Sequence, residues 1–325
     1  MRSQKKVKHW KQQAVKEGFD LSRSIARVYW TLLKIMLPAL VIVKVLDDIG
    51  GTQWLAVMLS PVMALVGLPE SMGIVWATAM LANIYTAMAV FFSQVNQDPL
   101  TVAQVTVLGS MILLAHGLTV EAAVAKAAGI SWWFTLSLRI GGALLLGYLL
   151  HFTYEEMSVL QQPSQLVWQP EEVDSDWLTW GKAQLKTLVF IFIVISALIL
   201  ILRLLNILGI EKWIHWLLTP LLKFLGIGKE AANVTVIGVT LGLSFGGGLL
   251  IDEARSGRIS KRDIFLSMAF LGLAHSLIED TLLIVLLGAD LSGILWARMV
   301  FACVVIALMA RVPKSLFSRL SGQKV

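Results

Sequence analysis

The residues best equipped for chemistry lie at 274–280, Ala-His-Ser-Leu-Ile-Glu-Asp, between apolar runs at 264–274 and 281–288. Ionisable groups inside such runs are expensive in lipid and mark functional centres. Read as one continuous helix, His275 and Glu279 stand four residues apart on one face. Asp280 then sits about 100° round the axis. Three chemistries fit. One is a proton or cation relay with His275 as the titrating member. Another is a divalent metal site on His275 and Glu279, since imidazole and carboxylate suit Fe, Mn or Zn. The third is a hydrogen-bonding cluster for a polar organic solute. The structural alternative is a loop outside the membrane with ordinary surface charges.

Three further places hold polar residues. At 242–253, Gly-Leu-Ser-Phe-Gly-Gly-Gly-Leu-Leu-Ile-Asp-Glu, the run Gly246, Gly247 and Gly248 opposes helix. It predicts a broken helix or a close backbone approach, with backbone groups and Ser244 available to a ligand. Asp252 and Glu253 follow as charge partners, and packing of small residues is the alternative. The aligned place in the first half, Tyr85 to Ala89, has no glycine cluster. Arg139 and Arg298 lie in the last apolar segment of each half. Arg298 could pair with Glu279 or Asp280 and offset its burial, or both arginines could snorkel to the interface. The last place is Asn83, His116 and Glu121. His116 has Val120, not an acid, four residues on. It reads as a degenerate counterpart of His275 or as a core histidine. The P-loop, HExxH and GxSxG patterns are absent, so the expectation is a protein that is not an enzyme and carries no cofactor. Any active transport would draw on a partner or on an ion gradient, with H+ or Na+ as coupling cation.

The elements that must hold these residues are membrane helices. Hydrophobic residues make up 57% of the 325, charged residues 15%, and mean hydropathy is +0.76. A soluble chain carries about 25% charged residues. Lipid absorbs the excess apolar surface, because a spanning helix takes about 20 apolar residues. Ten apolar segments are expected: 29–46, 53–68, 72–93, 101–117 and 131–152, then 184–205, 212–227, 231–251, 263–288 and 292–311. Residues 1–28 are basic and polar, without the apolar core of a cleavable signal. They read as a cytoplasmic amphipathic lead-in. The single cysteine, Cys303, sits in an apolar run and excludes an intrachain disulfide. The net charge of +6 follows the positive-inside rule and does not point to nucleic acid.

The chain also repeats. Pro61 and Pro220, Gly67 and Gly226, His116 and His275, and Arg139 and Arg298 are each separated by 159 residues without a gap. The reading is therefore an all-α polytopic protein of two inverted five-segment repeats. Repeat one covers 29–152 and repeat two 183–312. An acidic extracytoplasmic linker at 153–182 joins them, and a basic cytoplasmic tail closes the chain at 313–325. Basic ends and an acidic linker put both termini in the cytoplasm and each repeat across the membrane an odd number of times. Such inversion is a common basis of alternating access in transporters.

The stretch 231–312 resembles the nucleoside-recognition, or gate, family of membrane proteins. The likeness rests on SFGGGLLIDEARSGRISKRD at 244–263 and FLGLAHSLIEDTLLIVLLGAD at 270–290, and extends more weakly over 55–150. The family includes spore-maturation-type proteins and the gate segments of ferrous iron transporters, and its relatives include concentrative nucleoside transporters. The resemblance implies an inner-membrane transporter of a small polar, nucleoside-like solute. A divalent metal permease and a non-transporting membrane scaffold are the alternatives. Expected partners are the lipid bilayer, a small solute or cation, and a second copy of the chain in a homo-oligomer.

Overall fold

A computed structural model describes the backbone of residues 2–95, 99–168 and 176–311. Within helices, the side chains of 2–18, Asp20, Glu211, Leu241, Ser244 and Phe245 fall outside the described set. The acidic residues Glu171, Glu172 and Asp174, and the tail 313–325, also lie outside the described residues.

The first half runs α1 (Arg2–Asp48), α2 (Gly51–Leu65), α3 (Met72–Leu81), α4 (Ile84–Gln94), α5 (Val102–Leu114), α6 (Leu118–Ala127) and α7 (Trp132–Glu156). The second runs α8 (Trp177–Ile207), α9 (Ile210–Phe224), α10 (Lys229–Leu241), α11 (Leu243–Ser256), α12 (Lys261–Ala274), α13 (Glu279–Val285) and α14 (Arg298–Ala310). A π-helical turn, Ser292–Ala297, leads into α14. The boundaries of α2 and α9 keep the spacing of 159 that separates His116 from His275 at both ends. The starts of α4 and α11, and of α5 and α12, keep it too.

Six stretches among the described residues are long and apolar enough to cross a membrane: Leu21–Asp48, Val102–Ala127, Trp132–Glu156, Trp177–Ile207, Lys261–Val285 and Ser292–Ala310. Three fall in each half. The two containing α5–α6 and α12–α13 are 72% buried over their apolar window, against 17% for α1 and 22% for α8, so they form the core and the others its wall. Large apolar side chains such as Trp133, Trp213 and Phe224 face outward, as a lipid-facing wall requires. This is a multi-pass helical membrane protein in contact with the bilayer.

Three of the ten expected segments are interrupted and a fourth, 101–117, ends at a break that a further helix follows, which apolarity alone does not report. Segment 72–93 breaks at Ala82 and Asn83, where Asn83 is extended and its carboxamide oxygen caps α4 by accepting from the Thr86 N–H at 2.9 Å. Segment 231–251 breaks at Gly242, with φ of 88°, a conformation that favours glycine. The α5–α6 and α12–α13 stretches break at 115–117 and 275–278. Gly117 and Ser276 occupy the same left-handed region there, with φ of 53° and 49°.

Candidate functional site: a charged centre where broken helices meet

Breaking a helix leaves backbone amides and carbonyls without partners. Here the breaks satisfy one another. The Gly117 N–H donates to the Ala79 carbonyl at 2.9 Å, and the Leu277 N–H to the Val239 carbonyl at 2.8 Å. The carbonyls that α5 and α12 leave open are taken by arginine. Arg139 Nε donates to the Leu114 carbonyl at 2.8 Å, and Arg298 Nε to the Leu273 carbonyl at 2.9 Å, each reaching back 25 residues. Arg298 Nη2 also donates to the His275 carbonyl at 2.8 Å. Both arginines are 0% exposed. Snorkelling, the bland reading of the pair, does not describe them: they point into the core.

The breaks aim two histidines at each other. His116 Nδ1 lies 3.0 Å from the Ile112 carbonyl, and His275 Nδ1 lies 2.7 Å from the Leu271 carbonyl. A carbonyl oxygen only accepts, so each Nδ1 carries its hydrogen. The two Nε2 atoms then face one another at 3.2 Å. Glu121 Oε1 stands 3.2 Å from both. Asp280 Oδ2 stands 3.6 Å from His116 Nε2 and 3.9 Å from His275 Nε2. The other oxygen of Glu121, Oε2, pairs with Arg139. His116, Glu121, His275 and Asp280 are all buried. His116, His275 and Asp280 bring three ligand atoms within 4.8 Å of one another, a set able to hold a metal ion.

The structure rearranges the sequence-based expectations. Treating 274–280 as one helix paired His275 with Glu279. The chain leaves α12 at His275 and re-enters helix only at Glu279, so the four-residue spacing no longer sets a shared face. Asp280 approaches the histidines, while Glu279 accepts from the Tyr85 hydroxyl at 3.0 Å. His116 is an equal member of the cluster, not a degenerate remnant. Its acid is Glu121, which bears the same relation to His116 as Asp280 does to His275. Carrying the repeat spacing one step further along the sequence would have found it; looking only four residues on found Val120 instead.

The glycine run does not break a helix: α11 passes through Gly246, Gly247 and Gly248 unbroken, and the interruption is at Gly242. A Cβ on Gly246 would stand 2.2 Å from the Gly238 Cα, and one on Gly247 2.5 Å from a Val124 methyl, whereas Gly248 has open space. Gly246 therefore serves close packing of α10 on α11 and Gly247 that of α11 on α6. The Ser244 side chain lies outside the described set. Asn83 acts as a helix cap, half-buried. Asp252 is exposed. Glu253 is held in a two-pronged pair by Arg258, at 2.8 Å for each contact, which lowers its carboxyl below the usual range. Neither acid takes part in the buried cluster. A separate polar cleft of about 280 Å³, lined by Gln104, His151, Tyr154, Glu155 and Gln161, went unforeseen because its residues are scattered over two helices and a loop.

An all-helical, multi-pass membrane protein with a charged centre between interrupted helices is thus the class that fold and site define. Residues 29–131 match the family described as nucleoside recognition, the gate domain. The resemblance noticed from sequence is borne out, although this match falls on the first half and the most telling motifs lie in the second. The chain is also 29% identical over 290 residues to the uncharacterized membrane protein YvoD of Bacillus subtilis (strain 168), covering 88% of this chain and 91% of that protein. No solved structure matches the chain.

Proposed function

We propose that this protein moves a small polar solute, nucleoside-like in chemistry, across the cytoplasmic membrane by alternating access between two inverted halves. One observation carries the reading: the buried charged cluster is assembled by both halves in equal parts, His116, Glu121 and Arg139 from one and His275, Asp280 and Arg298 from the other. A centre shared between duplicated, interrupted helices is where transporters of inverted-repeat design hold substrate and coupling ion.

Inversion draws support from the ends of the halves. Three crossings in each half keep the odd number that the charge pattern demands. The linker after α7 folds over the start of α5, with Val102 N–H donating to the Gln162 carbonyl at 3.0 Å and Ala103 N–H to the Leu160 carbonyl at 2.8 Å. In the second half, Arg262 at the start of α12 donates to the Gly226 carbonyl at 3.2 Å and to the Ala310 carbonyl at 2.7 Å. Corresponding helix ends gather in each half, beside the segment 160–162 after α7 in one and beside the Gly226 turn and the end of α14 in the other. This arrangement supports a topology with both termini in the cytoplasm.

A second reading, a permease for a divalent metal, is favoured by the three ligand atoms that converge between His116, His275 and Asp280. Uptake into proteoliposomes of purified protein tests both. Uridine or adenosine accumulation that is abolished in Glu121→Gln and His275→Ala, with the variants still monodisperse, supports the first; uptake of Mn2+ or Fe2+ alone supports the second. No uptake of either by the wild-type protein, under H+ and Na+ gradients, overturns transport and leaves a membrane scaffold.

A further inference from the structure

The ring nitrogens at the centre present a problem of lone pairs. Both histidines spend their Nδ1 hydrogen on a helix carbonyl, so in the neutral state each Nε2 is a bare acceptor. Two such acceptors at 3.2 Å, with a carboxylate oxygen 3.2 Å from each, repel one another unless a cation stands between them. Asp280 Oδ2 also faces both nitrogens, and it is buried without a hydrogen-bond donor.

The spacings suit a tetrahedral metal ion. Ligand atoms around a tetrahedral ion with bonds of about 2.0–2.1 Å stand about 3.3–3.4 Å apart. His116 Nε2, His275 Nε2 and Glu121 Oε1 are mutually 3.2 Å apart, and Asp280 Oδ2 lies 3.6 and 3.9 Å from the two nitrogens. The surroundings also suit a metal. Histidine ligands are oriented by a second hydrogen bond to a backbone carbonyl, as both are here, and ligating carboxylates are held from behind, as Arg139 holds Glu121. Mg2+ and Ca2+ prefer six or more oxygen ligands, whereas a set of two imidazoles and two carboxylates suits Zn2+, Fe2+ or Mn2+.

We propose that His116, His275, Glu121 and Asp280 bind one divalent transition-metal ion at the junction of the two halves. Each half supplies one imidazole and one carboxylate, so the ion ties the halves together. The binding stands on this geometry and does not depend on what, if anything, the protein transports.

The test uses full-length, tag-free protein in detergent, because a histidine tag would bind metal itself. Elemental analysis should find about one equivalent of Zn, Fe or Mn per chain after desalting. After chelation, added Co2+ should give the strong visible absorption of a tetrahedral site, and Zn2+ should displace it. Asp280→Asn and His116→Gln should each weaken Zn2+ binding by at least tenfold, while Glu253→Gln leaves it unchanged. Substoichiometric metal together with no Co2+ spectrum in folded wild-type protein overturns the proposal. A proton shared between the imidazoles, visible by nitrogen NMR of labelled histidine, would then be the cation. Stoichiometric metal in a protein that fails every uptake assay would sink the transport reading and leave the site intact.

Discussion

Arg139 and Arg298 are the residues on which the centre leans hardest. A guanidinium at zero exposure is tolerable only when its donors and its charge are met. Here Arg139 Nε and Arg298 Nε and Nη2 donate to carbonyls freed by the helix breaks, Arg139 pairs with Glu121, and the Arg298 charge lies near Asp280. Replacing Arg298 with Met leaves the Leu273 and His275 carbonyls open and Asp280 without its neighbouring charge. The expected cost is about 3–5 kcal/mol, to be read as a lowered thermal midpoint in detergent. Arg298→Lys should recover only part of it, since an ammonium cannot reproduce the planar fork that reaches two carbonyls at once. A variant as stable as the parent would show that the cluster does not hold the fold. Glu279 makes a useful contrast. It is bonded to Tyr85 across the two halves and stands outside the histidine pair, so its role is separable from that of Asp280 by single substitution.

The interrupted helices are what place these residues. An α-helix running on through 275–278 would send His275 and Asp280 to different faces, while the extended turn there lets both reach the same point. The packing that supports the breaks is equally specific. Gly246 lies against the Gly238 backbone with no room for a methyl group, and Gly248 two residues on faces open space. Gly246→Ala should therefore push α10 and α11 apart and cost about 1–3 kcal/mol as an overpacking change. Gly248→Ala should be neutral or slightly stabilising, because alanine is the better helix former. Thermal unfolding of the two variants side by side checks this. Equal effects would remove the argument that α10–α11 contact is the reason for the glycines.

At the scale of the whole molecule, the decisive quantity is orientation. The proposed topology, two halves of three crossings each with an acidic linker between them, has Glu156 outside the cytoplasm and Arg255 within it. In a Cys303→Ser background, a cysteine introduced by Glu156→Cys should react with an impermeant maleimide in intact cells. One introduced by Arg255→Cys should react only after permeabilisation. Labelling of both from the same side would end the inverted arrangement. It would also remove the rationale for alternating access, but not the charged centre itself, whose contacts lie within the chain.

Much of this protein was already determined by the order of its residues. Apolar run lengths dictate a membrane protein, because only lipid can take up that much apolar surface without a folding penalty. The spacing of Pro, Gly, His and Arg exposes the duplication, because those types are placed by backbone and charge requirements that random apolar drift does not satisfy. The identity of His116, His275 and the two arginines as members of one set follows from the same spacing. What only the tertiary structure decided was the partnership. Glu279 and Asp280 are adjacent in the chain and chemically alike, and nothing local tells which one turns inward. The choice depends on where the helix breaks, and the break depends on carbonyls and amides contributed by helices far away in sequence. Glu121 meets His275 for the same reason: contacts across two halves are fixed by how the halves dock, a long-range geometry that no single segment records.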